Sequence, residues 1–71
     1  MGITALNPRN KFIGKIKEIT ESPVVSEIIV DTPFGPVTSI ISTRSVRELE
    51  LQVGTKVVAL VKATEVSLAK L

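Results

Sequence analysis

The hydrophobic period of this chain turns helical in one place, from Thr43, and that interruption restricts the fold more than any other feature. Before it, three segments read as β-strands. Lys11 to Ile19 carries mixed alternation, β-branched Ile and an internal glycine, Gly14. A glycine inside a strand marks a bulge or a sharp bend, as a small barrel needs at its corners. Val24 to Thr32 and Val37 to Ser42 are rich in β-branched residues, which favour strands. Between them, Pro33-Phe34-Gly35-Pro36 is a turn by composition. Thr20 to Pro23 is turn-like, and residues 1–9 form an extended arm in which Pro8 pushes Asn7 toward β or polyproline geometry.

From Thr43 to Leu51 the pattern is different. Val46, Leu49 and, less regularly, Leu51 share one side with charges on the other, a helical period. Ser45, with Glu48 three residues later, matches a capping box, so a helix of about two turns is expected with Ser45 as its cap. Gly54 ends the connection. Lys56 to Lys62 and Glu65 to Ala69 read as the last two strands. The order β-β-β-α-β-β is that of an all-β, five-stranded OB-like barrel with one short helix between strands 3 and 4. Closure of the barrel would remove exposed strand edges.

The 71 residues correspond to one domain, 1–71, with no internal repeat or linker. A chain of this size buries only ~60% of the surface exposed when unfolded, so its core needs support. Without Cys or His, disulfides and thiolate or imidazole metal sites are excluded, and no metal coordinated directly by the protein is expected. Oligomerisation is left, and a hydrophobic content of 44% favours it over an ordinary small monomer. The absence of Cys fits a cytoplasmic location. No leader pattern and no apolar run of spanning length suggests a membrane. The net charge of +2 is mild for a nucleic-acid binder, which usually shows a denser basic stripe.

Polar chemistry concentrates near the two ends, in Asn7-Pro8-Arg9-Asn10 and Lys62-Ala63-Thr64-Glu65-Val66. A fold that joins its ends would gather Arg9, Lys62, hydroxyls and backbone N–H groups, an inventory suited to a small anion. At this point the chain resembles a family. Asn7-Pro8-Arg9-Asn10 is similar to the Ser-Ala-Arg-Asn signature of Mop domains, the molbindins and related TOBE-type modules. Thr38 to Ser42 with Ser45-Val46, Glu48-Leu49 and Gly54 resembles their third strand and helix. Val61-Lys62-Ala63-Thr64-Glu65-Val66 resembles their closing motif.

The resemblance implies an OB-like barrel assembled into a hexamer, a trimer of dimers, that binds molybdate or tungstate between subunits without a catalytic cofactor. By motif position, Arg9 and Lys62 would supply positive charge, Ser45 a hydroxyl and Ala63 its backbone N–H. Asn7 stands where the family often has Ser and would offer an amide NH₂. Pro8 stands where Ala is usual and cannot donate a backbone N–H. Asn10, Ser42 and Thr64 are further candidates, the last two for a second class of oxyanion site. The implied role is molybdenum storage or homeostasis.

The chemistry of the ligand agrees. Molybdate at neutral pH is a fully deprotonated dianion and needs donors only, which Arg, Lys, Ser and amide groups supply. Phosphate keeps a proton and wants an acceptor. Glu65, on an extended segment, should face away from Thr64, so discrimination against phosphate is expected. Each residue also has a plainer reading. Arg9 can be a solvated arm residue, Lys62 an edge-protecting lysine, Ser45 a cap and Asn10 a turn residue. Gly14 and Gly54 read as structural.

Two other functions compete. Single-stranded nucleic-acid binding uses aromatic stacking platforms, yet Phe12 and Phe34 are the only aromatics. A scaffold, with the oligomer as its whole function, would have the same hydrophobic excess but no anion-dependent stabilisation. No enzyme is expected. Without His or Cys a catalyst needs paired carboxylates or an activated Lys or Ser, and the seven acids are scattered.

Overall fold

The computed structural model describes residues 10–71. In chain order they form β1 (Asn10–Glu21), β2 (Val25–Thr32), β3 (Gly35–Ser42), α1 (Thr43–Glu48) and β4 (Lys56–Val61), followed by a 3₁₀ turn, Ala63–Glu65. The strands make one antiparallel sheet in the order β3-β2-β1-β4. Alternation decides its faces: Ser26, Ile28, Val30 and Thr32 of β2 are buried, while Val25, Glu27 and Asp31 are exposed. Ile16, Ile28 and Val30 meet Val46 of α1 in the core, and Ile19, Val37, Ile41, Leu51 and Val57 pack around them. The result is the all-β, OB-like architecture expected, a curled sheet with one helix between strands 3 and 4.

Ile16 and Ile19 are three apart, a spacing that cannot keep both on one face of a regular strand. The register solves this with a bulge. Ile16 pairs with Val30 and Glu18 with Ile29, so Lys17 is the extra residue and Ile19 returns to the inner face opposite Ile28. The bulge therefore lies at Lys17 and not at Gly14, which has a different task. A β-carbon at Gly14 would overlap the Asp31 carbonyl oxygen and stand 3.0 Å from Thr32 Cγ2. Gly14 lets β2 end against the backbone of β1 where the sheet curls.

The helix is capped three positions earlier than the sequence suggested. Ser42, not Ser45, is the N-cap. Its hydroxyl oxygen accepts from the Ser45 N–H at 3.1 Å. Thr43 decides the choice because its side chain is needed inside. Thr43 Oγ1 donates to the Ser22 carbonyl at 2.6 Å and lies 2.7 Å from Ser26 Oγ. Since that proton is committed to Ser22, Ser26 is the donor to Thr43. Thr43 N–H also donates to the Val24 carbonyl at 2.9 Å. These bonds tie the first turn of α1 to the β1–β2 connection and leave no buried polar side chain unsatisfied among the described residues.

The helix is also shorter than the Thr43–Leu51 expected. Glu50 N–H donates to the Arg47 carbonyl and Leu51 N–H to the Val46 carbonyl, a Schellman closure. That motif asks its C′ residue for left-handed backbone, and Glu50 supplies it at φ 55° without being glycine. A side chain there costs about 1–2 kcal/mol. Glu50→Gly should therefore raise stability by up to about 1 kcal/mol, the gain being reduced by the extra unfolded-state freedom of glycine. Chemical denaturation of the two proteins measures it, and an equal or lower midpoint for Glu50→Gly contradicts the strain.

The fifth strand expected at Glu65–Ala69 is not formed in the described chain. After Val61, Glu65 N–H donates to the Lys62 carbonyl and Val66 N–H to that of Ala63. This turn takes the chain off the β4 ladder, and residues 66–71 have no regular structure, with Leu68 94% exposed. The segment pairs with neither of the sheet's edge strands, β3 and β4.

Candidate functional site

Two groups of candidate donors lie at different places on the sheet. The first surrounds the end of β4. Asn10 pairs with Val61 in the β1–β4 ladder, so it is a strand residue, half-buried, and not a turn residue. Lys62 follows directly. It is not part of the strand, as the sequence suggested, but the exposed N-cap of the 3₁₀ turn. The turn makes its first bond from Glu65, so the N–H groups of Ala63 and Thr64 have no acceptor within it. An exposed ammonium and two N–H groups left free by the turn thus share one short segment. Glu65 also belongs to this turn, so the extended-chain alternation that was to aim it away from Thr64 does not apply. Asn7, Pro8 and Arg9 lie outside the described residues.

The second group is at the start of α1. Ser42 Oγ donates to Ser45 Oγ at 2.9 Å while accepting from the Ser45 N–H. With its proton committed there, Ser42 is a cap rather than a ligand donor. The Ser45 hydroxyl keeps its own hydrogen to give elsewhere. Ser45 is half-buried, and beside it stands Arg44, an exposed cation that the sequence reading passed over. Its only signal was adjacency to Ser45. The neighbouring Arg47 is turned to Glu21 at 3.4 Å, the one ion pair among the described residues.

The register separates the two groups. Ser42 pairs with Val25, beside the Glu21 end of β1, whereas Val61 pairs with Asn10 at the other end. The 12 residues of β1 lie between them, at about 3.3 Å of rise each. Within one protomer, Ser45 and Lys62 therefore do not share a site, and the fold does not by itself gather all the donors at one place.

The concave side of the sheet is no substitute. It holds a cleft of about 190 Å³ lined by Ile16, Val30, Ile41, Leu51 and Val57, with Ser39 as its hydroxyl. An apolar cleft cannot replace the hydration of a dianion. Phe12 and Phe34 meet edge to face, with ring centroids 6.2 Å apart. Among the described residues, no group of three or more acidic side chains is arranged to hold a metal ion. No helix there is long and apolar enough to cross a membrane.

Comparison with known proteins adds a consistent set of likenesses. Residues 6–68 match the TOBE domain. Molybdenum-pterin-binding protein 3 of Clostridium pasteurianum is 33% identical over 63 residues, which are 87% of this chain and 93% of that protein. Molybdenum-pterin-binding protein 2 of the same organism is 35% identical over the same shares. Among solved structures, MopII from C. pasteurianum superposes with a TM-score of 0.86 at 33% identity, covering 92% of this chain and 98% of its own. A molybdate binding protein from Sporomusa ovata gives 0.86 at 38% identity, with 92% and 97% covered. The cytoplasmic molybdate-binding protein ModG gives 0.79 at 31% identity, over 84% of this chain and 43% of that one.

Proposed function

The chain belongs to the TOBE domain family, among its Mop proteins, and from that premise we propose that it binds molybdate, and tungstate by the same donors, for intracellular molybdenum storage or homeostasis. The observation that carries this reading is the likeness, over nearly the whole chain, to a structure described as a molybdate binding protein. Oxyanion binding asks for donors and no covalent chemistry. The reading is of a binding protein in the cytoplasm and not of an enzyme.

The proposed ligands to the anion are Arg9 and Lys62 for charge, the Ser45 hydroxyl, the Ala63 N–H and the Asn7 amide. Asn10 and Thr64 are secondary. Lys62 and Ala63 lie at one end of β1 and Ser45 at the other, so two protomers are needed to complete the set. A homo-oligomer, as a trimer of dimers, supplies such junctions. Occupancy and assembly are then linked, because an anion held between copies favours the associated form.

Thermal unfolding with and without molybdate, tungstate, sulfate and phosphate is the test. At a hundredfold excess over Kd a ligand of the folded form adds about 2.7 kcal/mol, roughly 11–22 °C in midpoint for a domain of this size. The expected result is a rise with molybdate and tungstate, little with sulfate and none with phosphate. No rise with any anion rejects the reading in favour of a scaffold, and equal rises with phosphate and molybdate reject the selectivity.

A further inference from the structure

The turn after β4 brings a carboxylate to the donors grouped there. Glu65 N–H donates to the Lys62 carbonyl at 2.9 Å, which closes the turn and makes Glu65 the acid of its first turn. Three residues at about 2 Å of rise each put the α-carbons of Lys62 and Glu65 roughly 6 Å apart. An extended segment would separate them by about 10 Å and send their side chains to opposite faces. The proximity of the two charges is therefore a product of the turn.

Neither charge is committed within the protomer. Lys62 and Glu65 are both exposed. Among the described residues the only ion pair is Arg47 with Glu21, at the other end of β1 from Lys62. Glu65 is also the single acid at this end. The other six belong to β1 beyond its bulge, to β2, to α1 and to the connection after α1, while the near part of β1 carries Lys11 and Lys15. One free carboxylate thus interrupts a region otherwise made of cations and donors.

We infer that Glu65 holds down the affinity of the oxyanion site: it is a negative charge one turn from Lys62 that opposes an incoming dianion. At about 8 Å in water a carboxylate weakens the binding of a dianion roughly fivefold, and more where water is excluded. The carboxylate acts through its charge and needs no contact with the anion. It leaves the protein able to release what it binds. This role rests on the reading that Lys62 holds an oxyanion, and it names the residue that limits how tightly.

A charge series at position 65, titrated with molybdate by calorimetry at low salt, tests it. Glu65→Gln should bind at least about threefold more tightly than wild type, Glu65→Lys more tightly again, and Glu65→Asp, which keeps the charge, as wild type does. Glu18→Gln makes the same change in net charge at an exposed position beyond the bulge of β1 and should gain less, because distance and salt screen it. The gain of Glu65→Gln should shrink as salt rises from about 0.05 to about 0.5 M. Circular dichroism checks that each variant keeps its fold. A gain smaller than threefold in Glu65→Gln, a gain as large in Glu65→Asp or Glu18→Gln, or a gain indifferent to salt overturns the inference. A wild type that binds molybdate while Glu65→Gln gains nothing overturns this role alone. A wild type that binds no molybdate overturns the proposed function, and this role with it.

Discussion

Gly14→Ala is expected to be the most damaging single substitution in the sheet. The added methyl would overlap the Asp31 carbonyl oxygen, with the Asp31 carbonyl carbon and Thr32 Cγ2 both at 3.0 Å. Two of these three neighbours are backbone, so no side-chain rotation relieves the contact. Either β1 and β2 separate where the sheet curls, or the ladder of Gly14 with Val57 breaks. Overpacking of a core costs about 1–3 kcal/mol when side chains can yield, and more when backbone must move. A loss of at least about 3 kcal/mol is therefore expected, or a fall of roughly 12–24 °C in midpoint for a chain of this length. The same strand carries Ile16 into the core, and the Ile16 carbonyl accepts from Gly54 N–H at 2.7 Å, so displacement of β1 spreads to the α1–β4 connection. Thermal unfolding by circular dichroism measures the effect. A midpoint within 3 °C of wild type would mean that β1 and β2 do not approach as described.

Lys62→Ala should cost most of the molybdate affinity and little of the stability. Lys62 is exposed and has no ion pair among the described residues, so its removal leaves the protomer's packing unchanged. In the proposed site between copies its ammonium donates to a dianion away from bulk water. A hydrogen bond to a charged group contributes about 1.5–3 kcal/mol, which corresponds to a roughly 10- to 150-fold weaker Kd. Isothermal titration with molybdate reads the change, and the anion-free unfolding midpoint serves as the control. Lys62→Arg keeps the charge and should retain more of the affinity than alanine does. An unchanged Kd for Lys62→Ala would remove Lys62 from the site.

The first three strands were legible because β-branched residues recur between turn residues, and the observed β2 departs from the expected segment by a single residue at its start. Details at the helix were less legible for a specific reason. Ser42-Thr43-Arg44-Ser45 and Ser45-Val46-Arg47-Glu48 both offer a serine three residues before a polar side chain. What selects Ser42 is the burial of Thr43 against Ser22 and Ser26, residues about twenty positions away. The bulge at Lys17 was hidden in the same way, because Lys17 and Glu18 are both exposed and only the spacing of Ile16 and Ile19 required an extra residue. At the helix end a left-handed residue was needed, and Glu50 carries no signal of that role.

The sequence by itself determined the class of the protein: strands around one helix, no Cys or His chemistry, and donor groups near both ends suited to an oxyanion. These follow from composition and local period, which are properties of neighbouring residues. The tertiary structure decided where those donors stand. Strand register places Asn10 and Lys62 at one end of β1 and Ser42 and Ser45 at the other, and the 3₁₀ turn after Lys62 takes the last segment away from β4. Register is fixed by cross-strand burial and by bulges, which couple residues far apart in the chain, so no local pattern could have located the two halves of the proposed site.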